Sequence, residues 1–205
     1  MFDAIIEGFA RLLQMMYMVA GSYGGAIILL TVLIKLAMYP LTQKQLQSMS
    51  AMQKIQPELK RLQEKYKDKP QMMQQKLMEL YSREGVNPLS GCLPLVIQMP
   101  ILMAMYYALY NFDYGTAEKS FLWIENLSEP DGMYILPVLS ALTTYLQQKL
   151  ARVEMTQQMK IMQVVMPVFI LWISLSFPAG LVLYWTTMNV MQIIQQEINS
   201  RRERL

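Results

Sequence analysis

Five long apolar runs set the limits on what this 205-residue chain can fold into. They extend from Gly24 to Leu41, Cys92 to Phe112, Met133 to Gln148, Ile161 to Phe177 and Ala179 to Ile194. A helix crossing the bilayer interior needs about 20 mostly apolar residues, within a range near 17–25. The third and fifth runs are therefore short for the task. Hydrophobic residues make up 54% of the chain and charged ones only 16%. Together these features predict an all-α membrane protein with five transmembrane helices (24–41, 92–112, 133–148, 161–177 and 179–194).

Short cytoplasmic loops retain lysine and arginine, so the basic residues predict an orientation. Nine of them lie between the first two runs: Lys44, Lys54, Lys60, Arg61, Lys65, Lys67, Lys69, Lys76 and Arg83. Lys149, Arg152 and Lys160 fall in the 149–160 link, and Arg201, Arg202 and Arg204 in the 195–205 tail. Only Arg11 and Lys119 fall on the opposite side, where the 113–131 loop carries five acids. The pattern predicts an extracytoplasmic N-terminus and a cytoplasmic C-terminus. The net charge of +3 then reports topology, and no basic, aromatic-interleaved stripe marks a nucleic-acid site.

Residues 1–20 read as an amphipathic helix at the outer membrane surface. Phe2, Ile5, Ile6, Phe9, Leu12, Leu13 and Met16 recur at helical spacing among Asp3, Glu7, Arg11 and Gln14. A signal peptide would need a basic start and an unbroken apolar core, and neither is present. Residues 43–84 form the one sizeable water-soluble stretch. Apolar positions step by three and four through Leu46, Met49, Met52, Ile55, Leu59, Leu62 and Tyr66, break at the KDKP sequence, and resume at Met73, Leu77 and Leu80. This predicts a cytoplasmic hairpin of two antiparallel helices with a kink or restart at Pro57. One cysteine and no histidine leave no disulfide and no metal cluster. No nucleotide motif is present, so no cofactor is expected. The PLSGC sequence ending at Cys92 follows a charged segment and not an N-terminal signal, which makes Cys92 a small packed residue and not a lipidation site.

Lys35 interrupts the first run, TVLIKLAMYPLT. A charge at the centre of a span costs roughly 2.5–3.5 kcal/mol on insertion-derived scales, so it calls for a compensating environment. Thr31, Lys35, Met38 and Thr42 share one helical stripe. Trp185, Asn189, Gln192 and Gln196 form another on the last run, and Ser140, Thr144 and Gln147 a third. Polar side chains within membranes face protein or water, so the three stripes are candidates to line one polar cavity. Lys35 snorkelling to the interface satisfies the same spacing.

TVLIKLAMYPLT, the charged hairpin, VNPLSGCLPLVIQMPI, YILPVL and FPAGLVLYWTTMNVMQIIQQ occur in this order. The whole series resembles the YidC family of membrane protein insertases, which includes the mitochondrial oxidase-assembly and chloroplast Albino proteins. The resemblance implies a five-helix bundle enclosing a hydrophilic groove, open to the cytoplasm and to lipid and closed toward the outside. The family's groove arginine is matched here by Lys35, which keeps the charge but loses the planar fork. Thr31, Tyr184 and Trp185 match groove or substrate-contact positions. Many Gram-negative members also carry an N-terminal span and a large extracytoplasmic domain, outside the stretch that the resemblance covers.

Such a chain would act without covalent catalysis. Lys35 would attract acidic tails of nascent membrane proteins, and Thr31, Asn189 and Gln192 would hydrogen-bond their backbone. Thr144, Gln147, Tyr184 and Trp185 would complete the groove. The hairpin and tail would meet a Sec translocon, the ribosome or signal-recognition components, and the spans would contact membrane lipids. Two rival functions use the same lysine: an intramembrane protease with Lys35 as base and Ser140, Ser174 or Ser176 as nucleophile, and a small transporter with Lys35 as anion site.

Overall fold

The structure, a computed structural model, describes residues 2–87, 93–110, 119–150 and 157–202. Cys92, residues 113–118 of the acidic loop, residues 151–156 and the end of the tail lie outside the described residues. Eight helices follow one another among them: α1 Phe2–Ala20, α2 Tyr23–Ala37, α3 Tyr39–Lys65, α4 Pro70–Arg83, α5 Leu93–Tyr110, α6 Ile135–Leu150, α7 Gln157–Ser174 and α8 Ala179–Arg202. The fold is all-α. The chain divides into two compact units, one of residues 1–38 with 99–205 and one of residues 39–98.

In the first unit α1 meets α2 at a sharp corner. Gly21 takes the left-handed conformation (φ 70°) that only glycine adopts freely. Ser22 then caps α2, its hydroxyl accepting from the Gly25 amide at 3.2 Å. One face of α1 packs inward through Phe9, Leu13 and Met16, while Met18 and Val19 remain about three-quarters exposed, at 77% and 75%. α1 thus keeps an apolar outer edge beside its packed face.

α2 ends four residues before its apolar run does. Proline has no N–H to continue the ladder, so Pro40 excludes an unbroken helix through Leu41. The Met38 amide closes on the Ile34 carbonyl at 2.9 Å, and α3 restarts with Pro40 in its first turn. At 15 and 16 residues, α2 and α6 are about 22 and 24 Å long, against a hydrocarbon layer about 30 Å thick. Among the described residues no single helix is long and apolar enough to cross a membrane, although Ile5–Ala20 with Tyr23–Ala37 reaches that length and composition across a 114° bend. Of the helices that cover the five apolar runs, α2 and α6 are thus shorter than the hydrocarbon layer, as the 133–148 run already was in sequence. The break before Pro40 shortens α2, and polar residues dilute α8, which continues to Arg202 through most of the segment read as a tail.

The core of this unit gathers Ala26, Ile27 and Leu30 of α2, Met105 and Leu109 of α5, Leu136 of α6 and Leu181 to Tyr184 of α8. Residues 119–134 cover one end of it with Ile124 and Leu127. Here the Phe121 ring lies where a Gly24 side chain would begin: a Cβ on Gly24 would stand 2.0 Å from the ring.

The second unit is an antiparallel helical hairpin. Ile55 and Leu59 of α3 pack with Leu80 of α4, all positions of the helical period read from sequence, and also with Val86. α3 is continuous through Pro57, so the restart that the sequence allowed there does not occur. Arg83 grips Glu58 through two 2.8 Å bonds. Both partners are exposed, so this pair contributes little. The C-terminus of α4 is closed by Gly85 at φ 63°, with the Val86 amide bonding back to the Tyr81 carbonyl at 3.0 Å. That pattern, with Val86 buried beneath it, is a Schellman closure. Gly85→Ala is expected to destabilise the hairpin by about 1–2 kcal/mol, the cost of a side chain in the left-handed region. Faster amide exchange at Leu80 and Val86, with α2 unchanged, is the readout; unchanged exchange there would show that the closure carries no stability.

Candidate functional site

α2, α6 and α8 all begin at the end covered by residues 119–134. The Leu136 amide of α6 bonds Asp131, the Gly180 amide of α8 bonds the Leu127 carbonyl, and Gly24 of α2 abuts Phe121. Beyond this apolar end their facing surfaces turn polar. The change comes at Thr31 on α2, Ser140 on α6 and Trp185 on α8, so a polar layer follows the packed one.

Lys35 is half-buried in that layer, and its Nζ donates to Gln192 Oε1 at 2.9 Å. No carboxylate among the described residues pairs with it. Gln192 is a neutral acceptor, so the lysine's donor is matched while its charge is not. In a low-dielectric setting such an uncompensated charge attracts an anion more strongly than it would in water.

A second knot lies between α6 and α8. Asn189 Nδ2 donates to Thr144 Oγ1 at 2.8 Å and approaches Thr143 Oγ1 at 3.4 Å. The Trp185 indole donates to the same Thr144 oxygen at 3.3 Å. Thr144 in turn donates to the Ser140 carbonyl at 2.7 Å, so every polar atom of this buried threonine is used. Such bonds hold facing helices together within a membrane for about 1 kcal/mol each.

The structure thus joins Lys35 to Gln192, and Thr144 to Asn189 and Trp185. Gln147 is half-buried one turn beyond Thr143. Thr31 and Tyr184, also candidates from the sequence, are fully buried. The Thr31 hydroxyl donates to the Ile27 carbonyl of its own helix at 2.6 Å, and Tyr184 belongs to the apolar core. In this conformation both support the site's floor and do not face a ligand. Ser140 Oγ donates to the Pro137 carbonyl and lies 3.2 Å from Ser174 Oγ; these contacts, and the Lys35 bond to Gln192, do not assemble a serine–lysine pair.

Sequence reasoning did not single out Thr143, which lies one residue off the marked stripe yet borders Asn189. It also passed over Gln195, whose amide oxygen and nitrogen are buried without a partner, as is the oxygen of Gln196, already marked on the stripe. The place of Gln195 on α8, three residues after Gln192 and beside Gln196, was the available signal.

Fold and site together define an all-helical protein with a polar interior layer, closed at one end by apolar packing. Residues 15–204 match the family described as 60Kd inner membrane protein, and the chain belongs to that family. It is 42% identical over 194 residues to the membrane protein insertase YidC of Helicobacter pylori (strain ATCC 700392 / 26695), a match covering 94% of this chain and 35% of the relative. With the YidC of Francisella tularensis subsp. novicida (strain U112) it shares 46% over 181 residues, covering 88% of the chain and 33% of the relative. The chain thus spans about a third of the length of these relatives. Among solved structures it resembles an active YidC insertase crystal structure with the first transmembrane domain resolved. That likeness has a TM-score of 0.77 at 29% identity and covers 94% of this chain and 45% of the other.

Proposed function

We propose that the chain is the membrane-embedded core of a YidC-type insertase, which receives nascent hydrophobic segments in its polar layer and releases them sideways into lipid. The observation that carries this reading is the charge of Lys35, held half-buried against a neutral amide and left without a carboxylate among the described residues. The relatives' printed function supports it.

The physical task is to bring a polar tail across a layer in which each unpaired backbone group costs several kcal/mol. A wet recess beginning at Lys35 shortens the apolar path to the packed end of the bundle. Lys35 supplies an anchor for the tail's carboxylates, and Gln192 is freed to pair with its backbone when Lys35 turns to the tail. Asn189, Thr144, Trp185 and Gln147 line the same recess, while Thr31 and Tyr184 form its floor. The substrate's apolar segment then partitions into lipid, which supplies the driving force without a covalent step.

In this reading the apolar runs at 24–41, 92–112, 133–148, 161–177 and 179–194 stand in the bacterial inner membrane, with α1 on its outer surface. The hairpin at 43–84 and the basic tail face the cytoplasm, where they meet the ribosome, signal-recognition components or a Sec translocon. An impermeant thiol reagent applied to intact cells should fail to label Lys60→Cys after Cys92 is replaced by serine; labelling from outside would reverse the orientation. The function itself is tested by reconstituting the purified chain in liposomes and scoring protease protection of a single-span substrate with an acidic N-terminal tail. Insertion no better than in protein-free liposomes would overturn the proposal.

A further inference from the structure

The end of the bundle opposite the polar layer is tied together by a single buried carboxylate. Asp131 is only 3% exposed. Its Oδ2 accepts from the Leu136 amide at 2.7 Å and from the Trp123 indole at 3.3 Å, and its Oδ1 accepts from the Met133 amide at 3.1 Å. One side chain thus joins the start of the covering loop, its exit turn and the first turn of α6. That first turn has amides with no partner inside the helix.

The same loop also closes α8. The Glu129 carbonyl accepts from the Ala179 amide at 2.7 Å, and the Leu127 carbonyl from the Gly180 amide at 2.9 Å. Phe121 and Ile124 bond each other's backbone reciprocally at 2.8 and 2.9 Å, which fixes the ring that fills the space above Gly24. Leu122 and Tyr134 are both held in the left-handed region, at φ 53° and 59°. Non-glycine residues stay there only where the surroundings over-determine them. From Ala179 to Trp185 α8 rises about 9 Å, so a packed apolar layer of about that depth separates this loop from the start of the polar layer on α8.

We propose that residues 119–134 form a plug that keeps this end of the bundle impermeable to ions, and that Asp131 is the positioning residue that locks it. The carboxylate holds the loop to α6, and the loop's carbonyls hold α8 at a fixed distance from α6. Without it, the first-turn amides of both helices take water as partner, and the seam between them becomes wet. The polar layer would then be continuous with the far side. This goes beyond the insertase reading and shares with it only the premise that the bundle stands in a bilayer.

The test reconstitutes the chain in liposomes loaded with a pH-sensitive dye and follows proton leak for the wild type, Asp131→Ala, Asp131→Asn and Trp123→Phe. Losing the buried charged acceptor should raise leak about tenfold in Asp131→Ala. Asparagine keeps one acceptor oxygen but sets its NH2 against an N–H donor, so its leak should lie between those of wild type and Asp131→Ala. Insertion of the single-span substrate should stay within about twofold in every variant, because the polar layer is untouched; a merely destabilised bundle would lose both properties together. Amide exchange at Ala179 and Gly180 reads the plug directly and should rise about tenfold in Asp131→Ala. Wild-type leak in Asp131→Ala overturns the proposal, and so does leak that rises with exchange at Ala179 and Gly180 unchanged. If Asp131→Ala instead loses protection throughout α2 and α8, Trp123→Phe decides. It removes one donor to the carboxylate and should raise leak about threefold; leak at the wild-type level there overturns the proposal.

Discussion

Lys35→Glu is expected to reduce insertion of a substrate with an acidic tail by tenfold or more in reconstituted liposomes. A unit charge pair about 4 Å apart is worth roughly 4 kcal/mol at an effective dielectric of 20. Reversing the sign turns that attraction into repulsion. Water in the recess screens part of this, but about 1.4 kcal/mol already suffices for a factor of ten. Lys35→Ala should fall between, since the polar layer still shortens the path while Gln192 loses the donor it now accepts from. Lys35→Arg should remain within about threefold of wild type, because the charge persists with a different donor geometry. The series also separates the rival reading. Arginine cannot accept a proton at any working pH, so a protease using Lys35 as base would lose activity in Lys35→Arg as fully as in Lys35→Ala. Substrate cleavage by the wild type that disappears in Lys35→Arg would end the insertase proposal. A substrate with a neutral tail supplies the control: equal losses for both tails in Lys35→Glu would mean that the charge serves the fold and not the cargo.

Gly24→Ala should be the most damaging single-methyl change in the first unit. The added Cβ would stand 2.0 Å from Phe121 Cγ and 2.4 Å from both Cδ atoms, so the ring must leave. It cannot swing aside cheaply, because the Phe121 backbone is bonded in both directions to Ile124. Overpacking of this kind costs about 1–3 kcal/mol, and displacing a packed aromatic ring adds to it. Thermal unfolding in detergent should shift down by several degrees, about 2–4 °C per kcal/mol for a chain of this size. Phe121→Ala in the same background should recover part of the loss, since it removes the clash. A Gly24→Ala protein as stable as wild type would mean that the loop does not rest on α2 as the structure has it. Gly180, whose Cβ would meet the Leu127 carbonyl at 3.1 Å, marks a second close approach, but the shortfall there is only a few tenths of an ångström and the effect should be smaller.

Much of the architecture was legible in the chain. The helical period of α1, the break at KDKP and the pairing faces of α3 and α4 all follow from side-chain spacing and proline chemistry, which act within a few residues. The end of α2 was misplaced because Pro40 stands inside an apolar run, where hydropathy continues but the hydrogen-bond ladder does not. Pro57 has the opposite outcome: α3 passes through a residue that local rules treat as a breaker. Asp131 was read as one acid among several on an outer loop. Nothing near it in sequence announces that its carboxylate turns inward to meet Trp123 and Leu136.

By itself the sequence determined the class of the protein and the identity of its unusual charge, because composition and helical periodicity are local properties and an isolated lysine stands out against them. It also showed which residues share a stripe of one helix. Only the tertiary structure decided which stripes meet: Lys35 pairs with Gln192 across 157 positions, and Trp185 with Thr144 across 41. It likewise decided that Thr31 and Tyr184 turn into the packed floor. A hydrogen bond requires its partners to be placed to within a few tenths of an ångström near 3 Å. That placement is set by how whole helices pack and how a loop caps their ends, which no local pattern encodes.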